Sequence, residues 1–350
     1  MALRTVTLVL VLQLLAGCAQ EARHHDTPSE RPHAAVQARR SAADFFVRYV
    51  SKDGQVVRHD QGDDTVSEGQ AYALLLAAAM RDREHFNRVM SWTKRHLERS
   101  DHLFSWHFKD GVLDPQPASD ADLDIARALL LAGRVFHYSH FTQRGLQVGR
   151  AILRKETAVV DGRRILLPGP WADLAPPTMV NPSYFSPVAI ELLYRASGDA
   201  RWRQLEQGTR QMVRSLSEKN LPPDWAIIQS NGAVAPSTRG PGGEAAFGWD
   251  AVRVPMRLAE SCVPDDRKLA GSFAARLNTD QSSPMKHPVG WVARAASQAA
   301  AGHQASADRA LAEALHDRRL NTTYYGDAWE ALGRYLLLDK RLGGCPPGSS

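Results

Sequence analysis

Glu68, Asp120 and Asp250 each stand at the start of a segment with helical apolar spacing, in TVSEGQAYALLLAAAM, PASDADLDIARALLLAG and FGWDAVRVPMRLAE. Breaking an acetal link between sugars needs one carboxyl group protonated, to release the leaving oxygen, and another ionised, to activate water or attack carbon. Groups so far apart in sequence meet that need only if the fold gathers them. Asp is also a favoured N-cap and Glu a favoured first-turn residue, so helix capping alone accounts for each of them equally well. A helix N-terminus favours the carboxylate form, so holding a proton on Glu68 requires a neighbouring negative charge such as Asp120, or burial against aromatic faces. Asp122 lies two positions from Asp120 and points away from it, whereas Asp124 is one turn on and reaches the same side. Both read as capping or supporting groups.

The elements that must position these carboxylates are helices. Apolar residues recur at helical spacing near 40–50, 67–80, 83–98, 120–137, 141–154, 183–196, 201–216, 249–260, 265–278, 287–301, 304–315 and 322–339. These segments group into pairs, which suits a closed ring of helical hairpins with inner and outer layers. No β–α alternation is present, and the extended candidates, Arg163 to Leu167 and Trp225 to Gln229, are short and lie in long loops. The expected fold class is therefore all-α. Loops at 99–119, 161–182 and 219–247 are long for a helical domain, and such loops commonly carry function. They hold Trp106, Trp171 and Trp225, whose faces can stack on pyranose rings or fill space between loop and core.

A chain of 350 residues with 43% hydrophobic and 23% charged residues suits one large globular domain. The net charge of +5 comes from scattered Arg without a long basic block, which argues against a nucleic-acid partner. Residues 1–18 read as an export signal: Arg4 precedes an apolar run from Val6 to Leu15 that is too short to span a membrane. The run ends in Leu15-Ala16-Gly17-Cys18, which resembles a bacterial lipobox, with Cys18 as the lipidation site. Acyl chains contribute about 0.8 kcal/mol per buried CH₂, enough in combination to anchor a protein. Ala19 at the next position favours the periplasmic face of the outer membrane. Residues 19–40 are polar and read as a flexible tether in which His24 and His25 are solvated, followed by a catalytic domain at 41–342 and a flexible tail at 343–350. Cys262 and Cys345 could pair in an oxidising compartment, but spacing does not settle it.

SEGQAY at Ser67 to Tyr72, ASDADLDIARALLLAGRVF at Ala118 to Phe136, NPSYFSP at Asn181 to Pro187 and GWDAVRVP at Gly248 to Pro255 resemble glycoside hydrolase family 8. The likeness is nearest to its periplasmic endo-β-1,4-glucanases associated with bacterial cellulose synthesis, and it includes the shorter matches PPDW, HPVGW and TYYGDAW. It implies an (α/α)6 barrel, inversion at the anomeric carbon and no metal or organic cofactor. It also implies Glu68 as proton donor, Asp250 as the base that activates water, and Asp120 as an active-site carboxylate that holds the distorted sugar. Tyr184, Arg253 and Tyr325 match positions that line the cleft, with Trp106 and Trp171 as candidate stacking platforms. Trp249 stands where the family usually has Tyr. The implied substrate is a β-1,4-glucan, with xylan as an alternative; the basic balance disfavours cationic chitosan. An exopolysaccharide synthase or export complex is the implied partner. A lipid-anchored glycan-binding subunit without turnover is the alternative from a different class.

Overall fold

The computed structural model describes residues 30–239 and 244–347. Its helices, in chain order, are α1 (Glu30–Tyr49), α2 (Ser67–Met80), α3 (Arg83–His96), α4 (Ser119–Val135), α5 (Ser139–Lys155), α6 (Pro187–Ser197), α7 (Arg201–Ser217), α8 (Val254–Ala259), α9 (Pro264–Ser272), α10 (Ala274–Thr279), α11 (Pro288–Ala300), α12 (Gln304–Leu320) and α13 (Tyr324–Leu338). Every residue of α2 except Glu68 is buried, as expected of a helix that is apolar or small all round. The helices α4, α6, α8, α11 and α13 likewise bury most of their length. In contrast, α3, α5 and α7 bury one stripe and present charged residues outward.

Packing follows this division. The buried helices neighbour one another in the order α2, α4, α6, α8, α11, α13 and back to α2, which closes an inner ring. Each is backed by an outer helix: α3 on α2, α5 on α4, α7 on α6, α9 on α8, α12 on α11 and α1 on α13. This is the (α/α)6 barrel. Because inner and outer helices alternate along the chain, all inner N-termini open at the same end.

The expected segments are all present, with boundary changes. The 265–278 segment divides at Phe273 into α9 and α10, and the 249–260 segment begins with a 3-10 turn, Ala251–Arg253, before α8. The tether boundary at residue 40 is corrected, because α1 starts at Glu30 and Ala38, Ser41, Ala42, Phe45 and Tyr49 form its buried stripe. Interleaved arginines hide that stripe in the sequence. Cys18, His24 and His25 lie outside the described residues. The flexible tail is also corrected. Cys345 forms a disulfide with Cys262, and its N–H donates to Glu260 O at 2.8 Å. Buried Arg127 reinforces this seam, donating to both Glu260 oxygens at 2.9 and 2.5 Å and to Leu342 O at 2.6 Å.

Short strands occupy the loops. One antiparallel sheet joins β1 (Thr65–Val66), β2 (Ser105–Phe108) and β3 (Val112–Pro117), and β4 (Thr157–Val160) pairs with β5 (Arg163–Leu166). Another joins β6 (Thr178–Val180), β7 (Trp225–Ile228) and β8 (Val234–Ser237). The two extended stretches read from sequence are β5 and β7. β1 runs directly into α2 and β3 nearly into α4, while β6 leads through a 3-10 turn, Pro182–Tyr184, to α6. The first and third sheets therefore wall the end of the barrel where the inner helices begin.

Candidate active site

The three carboxylates meet on one arginine. Glu68 is the second residue of α2 and Asp120 the second of α4, while Asp250 and Arg253 bracket the 3-10 turn before α8. Arg253 is 2% exposed. Its Nη1 donates to Glu68 Oε1 and, at 2.8 Å, to Asp120 Oδ2. Its Nη2 donates to Asp250 Oδ1 at 2.9 Å and to Ser183 Oγ at 2.9 Å, and its Nε donates to Asp250 O at 3.3 Å. The guanidinium also lies over the Tyr184 ring, 5.4 Å from its centroid. Arg253, expected among the residues that line the cleft, does line it, and its bonds to protein oxygens fix the spacing of the carboxylates.

Each carboxylate has further support. The Tyr72 hydroxyl donates to Glu68 Oε1 at 2.5 Å and accepts from Trp329 Nε1 at 3.2 Å. Burial raises the Tyr72 phenol well above its ordinary pKa, so it remains a donor. Gly69 must lack a side chain, because a Cβ there would sit 2.7 Å from the Tyr324 hydroxyl. Asn181 Nδ2 donates to Asp250 Oδ2 at 2.9 Å, and Asn181 Oδ1 is fixed by the N–H and hydroxyl of Ser183 at 3.0 and 2.7 Å. Burial pushes the Asp120 pKa up to about 6; Arg253 pulls it down, and the negative charges of Glu68 and Asp250 push it up again.

The remaining acids of α4 serve the barrel. Asp122 does point away from Asp120: its Oδ1 accepts the Phe104 N–H at 3.0 Å. Both Asp122 and Glu156 are fully buried, and burial raises both well above the usual carboxylate range. Asp124 does not reach the cleft; it pairs with buried Arg257, which also lies 3.6 Å from Glu260.

Above the carboxylates lies a cavity of about 260 Å³ lined by Trp106, Trp171, Tyr184 and Trp225 together with Glu68, Asp120 and Asp250. Trp171 Nε1 donates to Pro117 O at 3.2 Å, and the Trp171 and Trp225 rings are 6.3 Å apart. Arg239 lies over both, 5.3 and 5.6 Å from their centroids. Trp249 and Tyr325 do not line this cavity. They form a separate aromatic patch beside Asp250, where the Tyr325 hydroxyl donates to Trp249 O at 2.9 Å and Trp249 is 46% exposed. His287 completes the patch, 5.1 Å from Trp249. Sequence reasoning did not assign roles to Tyr72, Asn181, Ser183 or Asp224, although each falls within or beside one of the motifs SEGQAY, NPSY and PPDW.

An (α/α)6 barrel whose cleft gathers a carboxyl triad under tryptophan walls defines a glycoside hydrolase. Residues 34–330 match the model of glycosyl hydrolases family 8. The chain belongs to that family. A probable endoglucanase from Novacetimonas hansenii is 30% identical over 271 residues, covering 71% of this chain and 78% of that protein. An endoglucanase from Cellulomonas uda is 26% identical over 291 residues, covering 79% of each. Among solved structures, the endo-β-1,4-glucanase of Acetobacter xylinum superposes with a TM-score of 0.69 at 25% identity, covering 85% of this chain and 96% of that one.

Proposed function

We propose that the protein is an inverting endo-β-1,4-glucanase acting on cellulose-like chains. The observation that carries this reading is the shared Arg253, which places Glu68, Asp120 and Asp250 in one cleft. Side-chain exposure supports the division of roles: Glu68 and Asp250 keep 24% and 32% exposed, against 9% for Asp120. Glu68 gives its proton to the glycosidic oxygen as that bond breaks. Asp250 takes a proton from a water that attacks the anomeric carbon from the opposite face. Asp120, closed in and charged, stabilises the positive charge that develops on the sugar. The names of the relatives support the β-1,4-glucan assignment. The intact triad favours turnover over a binding-only role.

Proton NMR of cellohexaose hydrolysis tests the mechanism. The α-anomer of the new reducing end is expected to appear first; β-anomer first would replace single displacement with a retaining route.

The leader supports a second part of the reading, acylation at Cys18 and residence on the periplasmic face of the outer membrane, and the motif resemblance adds an exopolysaccharide synthase or export complex as partner. Metabolic labelling with radioactive palmitate should mark the expressed full chain and not Cys18→Ser. Equal labelling of both would remove the anchor.

A further inference from the structure

We propose that Asp224 is a positioning residue for the base: its carboxylate gathers the backbone amides on both sides of Asp250 and so fixes where the Asp250 carboxylate stands. The inference rests on the reading of Asp250 given above. An Asp at the start of a helical turn ordinarily folds its side chain back onto the turn's own N–H groups. Asp250 stands in that place, before the 3-10 turn Ala251–Arg253, yet its side chain makes no capping bond. Its two oxygens go instead to Arg253 and Asn181.

The amides that a capping Asp250 would take, those of Val252 and Arg253, donate to Gly248 O and Asp250 O at 3.1 Å each, and the amides at the entry to the turn go to a carboxylate from elsewhere in the chain. Asp224 Oδ1 accepts the N–H groups of Gly248, Asp250 and Ala251 at 3.0, 3.1 and 2.7 Å. The fit is close: a Cβ on Gly248 would sit 2.2 Å from Asp224 Oδ2, so only glycine lets the chain close over this carboxylate. Asp224 is itself fixed from both sides. Its N–H donates to Ala246 O at 2.9 Å, and Trp225, the next residue, begins β7 in the middle of a three-stranded sheet. Burial raises the Asp224 pKa and the amide bonds work against that rise. Asp224 therefore holds the backbone around Asp250 without touching the reacting atoms.

The test is a double-mutant cycle on cellohexaose hydrolysis. Asp224→Ala should lower kcat by about 10–100-fold, the scale of an ångström-level displacement of a reacting group, with KM nearly unchanged. Asp224→Asn, which keeps an acceptor oxygen, should recover most of that loss. Gly248→Ala displaces the carboxylate without altering Asp224, and should reproduce the kcat loss should Asp224→Ala fail to fold. In an Asp250→Asn background, Asp224→Ala should change the residual rate little, because the group it positions is gone. An equal fold-loss in both backgrounds, or a loss carried by KM, would overturn the proposal. Undiminished activity of Asp250→Asn alone would instead overturn the base assignment on which it rests.

Discussion

Glu68→Gln is expected to lower kcat on cello-oligosaccharides by about 10²–10⁴-fold, the range in which a positioned general acid contributes. The amide keeps the size of the side chain and an oxygen for the Tyr72 and Arg253 donors. It cannot deliver a proton. Because ground-state contacts persist, KM should change little. The diagnostic comparison uses an aryl cellobioside whose phenolate leaves without protonation: there the deficit of the variant should shrink by at least tenfold. A deficit of the same size on both substrates would assign Glu68 to binding or structure and leave the acid role to another group.

Arg253→Met should carry the largest combined penalty. It removes the one cation shared by Glu68, Asp120 and Asp250. Leaving buried carboxylates without their partner costs about 3–5 kcal/mol of folding stability. Arg253→Lys should not restore it, since a single ammonium cannot reproduce the fork that reaches both sides of the cleft. The loss has a defined pH dependence. Arg253 opposes the rise of the Asp120 pKa, which stands at about 6, so removing it lets Asp120 stay protonated to higher pH. A carboxyl with a raised folded-state pKa contributes stability at low pH and loses it as pH rises through that value. Urea melts should therefore show a smaller deficit for the variant at pH 5 than at pH 8. A deficit independent of pH would mean that Arg253 acts through packing alone.

The sequence carried the skeleton of this site further than its walls. Helical spacing marks the barrel's helices because most of them bury a periodic face, though it does not show the break between α9 and α10, and the motif around each carboxylate marks Glu68, Asp120 and Asp250. The sheets were legible only at β5 and β7, whose runs Arg163–Leu166 and Trp225–Ile228 carry β-branched or aromatic residues, whereas β3 holds two prolines and β1 only two residues. Arg253 was legible as a cleft residue, but spacing does not reveal that its guanidinium is 2% exposed and shared by three carboxylates. Asp224 left no local signal for its role: it acts on Asp250 from 26 residues away through backbone amides, which carry no residue identity. The part of α1 before residue 40 was lost to its polar residues in the same way that the pinned tail was lost to its glycines and prolines.

The floor and the walls of the cleft are built from different kinds of chain. The carboxylates ride at the starts of elements locked in the inner ring, whereas Trp106 and Trp225 sit on small sheets, and Trp171 on a turn, in the loops between them. Replacing a β2–β3 or β7–β8 hairpin need not disturb the register of α2, α4 or α8. The reaction can thus stay constant while the polymer it serves changes, and a lineage built on this barrel can explore new glycans through its hairpins with its chemistry already in place.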